Sequence, residues 1–155
     1  MGAIDFEVQI ERQKELNSYL TKAAKRLKDL RPALEKSGIA MERSIALNFQ
    51  AEGRPARWAP LAPWTQWVRD AKGYGREHPI LRQTNTLASS ITSNIIDSGS
   101  AVETGTNISY AKLLQEGGTN SAGKHVPARP FVLFQPDDIT EIERIFDNEV
   151  ERDLR

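Results

Sequence analysis

The segment Gly118-Thr119-Asn120-Ser121-Ala122-Gly123-Lys124-His125 has the spacing of a phosphate-binding loop up to its final position. Such a loop needs Ser or Thr at its end to hold magnesium, a strand before it and a helix after it. Here His125 takes the hydroxyl's place, Pro127 blocks a helix two residues on, and the preceding stretch has helical character. The segment therefore reads as a mobile polar loop. The two histidines, His78 and His125, lie in separate loops with no carboxylate at a metal-ligand spacing, and both read as surface residues. Asp97 and Glu103 flank an expected hairpin, where two acids are solvated unless burial shifts their titration. There is no Gly-x-Ser-x-Gly elbow and no cysteine, so neither a nucleophile elbow, a thiolate nor a disulfide framework is available. No catalytic, cofactor-binding or metal-binding residue is assigned.

Three tryptophans in ten residues, Trp58, Trp64 and Trp67, are the more informative feature, and Arg54, Arg57 and Arg69 accompany them. They either clamp a long loop onto the domain or anchor an interface, since aromatics and arginine concentrate at binding hot spots. Arg129 stands between Pro127 and Pro130, one residue from the first and beside the second. It is either bonded back to its own domain or rigidly displayed for a contact.

The elements that would position these residues follow from periodicity. A chain of 155 residues with 39% hydrophobic and 27% charged residues has material for one modest core, so a single domain is expected over 1–155. Ile4, Phe6, Val8 and Ile10 alternate with polar residues, which predicts a strand; this opening does not resemble a signal peptide, and no apolar run is long enough to span a bilayer. Leu16, Leu20, Ala23, Ala24, Leu27 and Leu30 predict a helix over about 12–30. Pro32 starts a second, with Leu34, Met41, Ile45 and Phe49 on one stripe, ended by Gly53. Residues 53–83 carry four prolines and three glycines and predict a long projecting loop, with room for a short helix near Pro63.

Within 84–135, Thr84 or Thr86 caps one or two helical turns containing Leu87 and Ile91. A hairpin follows over Ser93 to Asp97 and Ala101 to Gly105, then a short helix over Tyr110 to Glu116 closed by Gly117. Phe131 to Phe134 read as a last strand. Residues 136–155 form an acidic helix with Ile139, Ile142, Ile145, Phe146 and Val150 as its apolar stripe. The fold class is α+β: a small antiparallel sheet packed by two amino-terminal helices and a carboxy-terminal one, with the tryptophan-rich loop outside.

Net charge is zero, but it is segregated. Residues 53–83 hold six Lys/Arg against two Asp/Glu, and residues 131–155 hold three against eight. The basic region pairs either with the acidic tail of its own molecule or with that of the next subunit, and the second arrangement builds rings. The rival expectations are a DNA-contacting accessory protein using Arg54, Arg57, Arg69, Lys72, Arg76 and Arg82, and, behind it, a small hydrolase or transferase acting through residues 117–125.

Three segments, read in order, resemble the virion-morphogenesis, or tail-completion, family of Mu-like tailed phages. They are Trp58-Ala-Pro-Leu-Ala-Pro-Trp64-Thr65; Pro79-Ile-Leu81 through Thr84-Asn85-Thr86-Leu87 and Ser90-Ile91 to Val102-Glu-Thr-Gly105-Thr106-Asn107, Tyr110-Ala111, Gln115 and Gly117-Gly118; and Val126-Pro-Ala-Arg-Pro-Phe131. The family pattern has Gly where Asn85 stands, His where Leu114 stands and an aromatic where Glu116 stands. Asn85 preserves a left-handed turn, which Asn tolerates better than most residues, and Leu114 argues further against histidine chemistry. The resemblance implies a non-enzymatic role in completing the tail or joining it to the head, as a homo-oligomeric ring. Its partners would be tail-tube or neck and connector proteins, its place the virion after assembly in the bacterial cytoplasm. With the resembling segments included, the expected interface set is Trp58, Trp64, Trp67, Arg69, Tyr110, Arg129 and Phe131.

Overall fold

A computed structural model describes residues 3–27, 29–76 and 79–153, with residues 3–12 described by backbone alone. His78 lies outside the described residues. Among the described residues, six helices and two small antiparallel two-stranded sheets make an α+β fold. The helices are α1 (Ala3–Ala24), α2 (Arg31–Ala51), α3 (Pro63–Ala71), α4 (Thr86–Ser89), α5 (Ala111–Glu116) and α6 (Pro136–Asp153). One sheet pairs β1 (Thr92–Ile96) with β2 (Ala101–Gly105); the other pairs β3 (Gly118–Thr119) with β4 (His125–Val126).

The opening strand is corrected to helix: α1 runs unbroken from Ala3. The alternation at 4, 6, 8 and 10 also contains the i,i+4 pairs Ile4/Val8 and Phe6/Ile10, so the same residues satisfy a helical stripe. Glu, Gln, Arg and Lys then favour helix through to the Leu16 stripe.

The chain divides into two compact units, with the division falling inside α2 and inside the β1–β2 hairpin. The first comprises residues 1–40, 94–103 and 136–155. There α1 packs on α6, with Leu16 and Ala23 buried on one helix and Ile142, Ile145 and Phe146 on the other. Tyr19 donates to the Glu143 carbonyl at 3.1 Å and to the Asp147 carboxylate. Glu149, 3% exposed, points inward from α6 and is paired with Lys36 and Arg152, which offsets the cost of burying its charge.

The second unit comprises residues 41–93 and 104–135. Its core is Ile45, Phe49, Trp58, Leu87, Ala111 and Phe131. Phe49 stands edge-on to Trp58, with ring centroids 5.7 Å apart, and tilted against Phe131 at 5.3 Å. Asn85 takes φ 58° ahead of α4, the left-handed backbone expected of it.

Candidate functional site

The resembling segments converge on one path of backbone, residues 126–132, held almost wholly by side chains of the second unit. Arg129 donates through Nε to the Ala59 carbonyl at 2.9 Å and through Nη2 to that of Pro60 at 3.0 Å. Trp58 Nε1 donates to the Pro130 carbonyl at 2.9 Å, and Asn48 Nδ2 to the Phe131 carbonyl at 2.8 Å. Gln115 accepts at Oε1 from the Phe131 and Val132 amides, at 2.9 and 3.0 Å, and donates through Nε2 to the Val132 carbonyl at 2.8 Å. The Arg129 amide completes the set by donating to the Leu114 carbonyl at 2.7 Å.

This corrects the expected strand at 131–134. The segment bends at Val132 and pairs with no strand; the Gln115 amide group supplies an acceptor and a donor where a neighbouring strand would have supplied peptide groups. The close approach depends on Gly117, at φ 74°: a Cβ there would lie 2.7 Å from the Ala128 amide nitrogen.

A second layer fixes Asn48 itself. Its Oδ1 accepts from Arg54 Nε at 2.8 Å, while Arg54 Nη2 donates to the carbonyl and hydroxyl of Ser44 at 2.7 and 2.8 Å. Gln135 returns to the Arg54 carbonyl at 3.1 Å. Asn48, Ser44, Gln115 and Gln135 were not singled out as site residues. The signal for two of them was present, since Ser44 and Asn48 interrupt the apolar stripe of α2 beside Ile45 and Phe49.

Within 53–83 the short helix expected near Pro63 is present as α3, while two of the residues expected at an interface turn inward. Trp58 is buried, Arg69 is buried, and α3 occupies the middle with Pro63 in its first turn, where proline's missing N–H costs nothing. Arg69 Nη1 donates to the Pro79 carbonyl at 3.3 Å, and the Glu52 carboxylate accepts from the Ile80 amide at 2.8 Å. Burial holds the Arg69 guanidinium below its ordinary value, with Glu52 opposing; burial and then the like charge of Arg69 lower Arg129.

Of the seven expected interface residues, Trp58, Arg69, Arg129 and Phe131 are therefore interior to the unit. Arg129 is bonded to backbone carbonyls of its own unit, not displayed. The remaining three face solvent. Trp64 and Trp67 are 63% and 53% exposed and stack on each other at 4.9 Å with a 25° tilt. They stand one turn apart on α3, while Arg69 roots the opposite face. Tyr110, exposed, caps α5. Covering the two indoles would contribute on the order of 5 kcal/mol, so leaving them in water is a notable arrangement for a helix so firmly anchored.

The loop resembling a phosphate cradle is an ordered hairpin, β3–β4, with Gly118 opposite Val126 and Thr119 opposite His125. Asn120 Oδ1 accepts from the Ala122 and Lys124 amides at 3.0 and 2.9 Å, so the amides a phosphate would need are already bonded. His125 is exposed. Asp97 falls in the tight turn Asp97–Gly99 and not in the strand, so it does not oppose Glu103; both are exposed. Among the described residues no three His, Cys, Asp or Glu side chains are grouped as metal ligands, and no described helix is long and apolar enough to cross a membrane. Of the six basic residues expected to meet DNA, Arg54, Arg69 and Arg76 are bonded within the fold, Arg76 to Asp70 at 3.1 Å.

Comparison with known proteins bears on the same segments. The sequence profile of the phage virion morphogenesis family matches residues 11–151. The chain is 33% identical over 138 residues to the Mu-like prophage FluMu G protein 2 of Haemophilus influenzae, covering 88% of this chain and 89% of that protein. No solved structure matches the chain.

Proposed function

The chain belongs to the phage virion morphogenesis family, and from that premise we propose that it is a non-enzymatic structural protein that completes the tail or joins it to the head as a ring of identical subunits. It would act in the virion, after assembly in the bacterial cytoplasm, against tail-tube or neck proteins.

The observation that carries this reading is the division of labour among the aromatic and arginine residues of the resembling segments. Trp58, Arg129 and Phe131 build a rigid interior, while Trp64 and Trp67 are held out from it as a stacked, solvent-facing pair. Large aromatics on a preorganised support lose little conformational freedom on docking, which is what a subunit contact requires. Polar groups that resemble reactive ones are already bonded to backbone, as Arg129 and Asn120 are.

The test is a phage carrying Trp64→Ala with Trp67→Ala in this protein, viewed by electron microscopy. The expected result is separate heads and tails, or tails of abnormal length, with normal amounts of the folded variant. Intact, infective particles would refute the reading.

A further inference from the structure

The charge segregation seen along the sequence follows the structural units more sharply than it follows the chain. The first unit carries 16 Asp/Glu against 11 Lys/Arg, and the second 10 Lys/Arg against five Asp/Glu. Two units of one small chain thus carry net charges of −5 and +5.

The exposed tryptophan pair belongs to the positive unit. In the sequence of that unit Arg57 stands seven residues before Trp64, and Lys72 caps the end of α3, five residues after Trp67; both are exposed and neither is in an ion pair with a described residue. Asp70, the acid of α3, is already taken by Arg76. On the negative unit, α6 presents Asp137 and Glu151 on its exposed face, again without ion pairs among the described residues. These positions are fourteen residues apart, close to four helical turns, so both lie on one side of α6 about 21 Å apart.

We infer that the α3 region of one copy, Trp64 and Trp67 with Arg57 and Lys72 on either side of them in the chain, docks on the acidic α6 face of a second copy, unit two against unit one. The inference rests on the ring reading and deepens it. The occupant follows from charge: a face with two unpaired cations and two apolar rings repels its own likeness, so an α3-to-α3 contact is disfavoured. A surface of opposite sign exists on every copy. Contact between two different surfaces of identical chains is heterologous, and such contacts close into rings when the rotation permits. The rings supply apolar area, and the charges set register and direction.

Charge reversal tests this with the full-length protein. Arg57→Glu with Lys72→Glu, and separately Asp137→Lys with Glu151→Lys, alter exposed side chains, and each variant should keep the wild-type circular dichroism and melting temperature. Native mass measurement should show each variant associating at least ten-fold more weakly than wild type. An equimolar mixture should recover association, because the native α6 face of one variant meets the native α3 face of the other, and their two reversed faces are complementary as well. The four-fold variant, with both faces reversed, should self-associate as wild type does and fail to co-assemble with it. A four-fold variant that stays monomeric, or double variants that associate like wild type, would overturn the inference while leaving a ring of another geometry standing. Wild-type protein that is monomeric at every concentration would overturn both.

Discussion

Asn48 on α2 donates to the carbonyl of Phe131, 83 residues later, at 2.8 Å, and both residues are at most 1% exposed. One side chain thereby joins the long helix, the Arg54 turn and the segment that crosses the core. Asn48→Ala leaves the buried Phe131 carbonyl without its donor and the half-buried Arg54 Nε without its acceptor, and is expected to cost about 2–4 kcal/mol. Urea unfolding measures it; a loss under about 0.5 kcal/mol would show that water replaces the amide.

Arg129→Lys keeps the charge but offers a point donor where two carbonyls, of Ala59 and Pro60, are met by two nitrogens in a plane. A loss of about 1–3 kcal/mol is expected, with faster amide exchange around residues 58–62. Equal stability of the two proteins would mean that the fork geometry is not what holds this turn.

Gly117 and Gly73 share a positive φ, 74° and 80°, but only Gly117 faces backbone at close range. Gly73→Ala is expected to cost about 1 kcal/mol, from conformation alone. Gly117→Ala adds overpacking against Ala128, about 1–3 kcal/mol more. Thermal melting of the pair separates the two effects, and equal shifts would rule out the close approach.

Asn85→Gly, restoring the residue of the family pattern, should change stability by less than about 1 kcal/mol, since either residue accepts φ 58°. Asn85→Val should cost at least about 1–2 kcal/mol by the same backbone argument. The reverse order in denaturant midpoints would contradict the left-handed turn.

Burial, the hydrogen bond to Asp147 and the charges of Asp147 and Glu143 raise the Tyr19 phenol above its ordinary value of 10.0. The folded chain therefore holds this proton more tightly than the unfolded chain does. The associated stability is complete below pH 10 and declines as pH rises above it. Tyr19→Phe should show a shallower decline in unfolding free energy over that alkaline range. Parallel curves for the two proteins would place the phenol in water.

Where one period dominated, the sequence was legible: α2, the β1–β2 hairpin, α5 closed by Gly117, and α6 all lie where stripe, turn residues and caps placed them. At 4–10, two periods fitted the same four apolar residues, and continuity with the following helix decided between them. At 131–134 the expected strand did not form, because the backbone bonds to side chains, Gln115 and Asn48, which no local pattern reveals. The hairpin β3–β4 was hidden because its strands are two residues each; Asn120 and Gly123 were its turn signals.

The site was half legible for a related reason. Residue type predicts that tryptophan and arginine are committed to specific contacts, not whether those contacts are internal. Trp58 and Trp64 are six residues apart and alike in composition of surroundings, yet one fills the core beside Phe49 and the other stands in water. What separates them is α3, whose rotation is set by Arg69 turning inward.

The central claim is that the stacked Trp64 and Trp67 form an assembly surface. Native mass measurement of the wild type and of Trp64→Ala with Trp67→Ala, each at two protein concentrations and alongside its melting temperature, tests it most directly. The account predicts a concentration-dependent wild-type oligomer that the double variant does not form, at an unchanged melting temperature. An unchanged oligomer with a collapsed melting temperature would make the pair part of the fold and contradict the account.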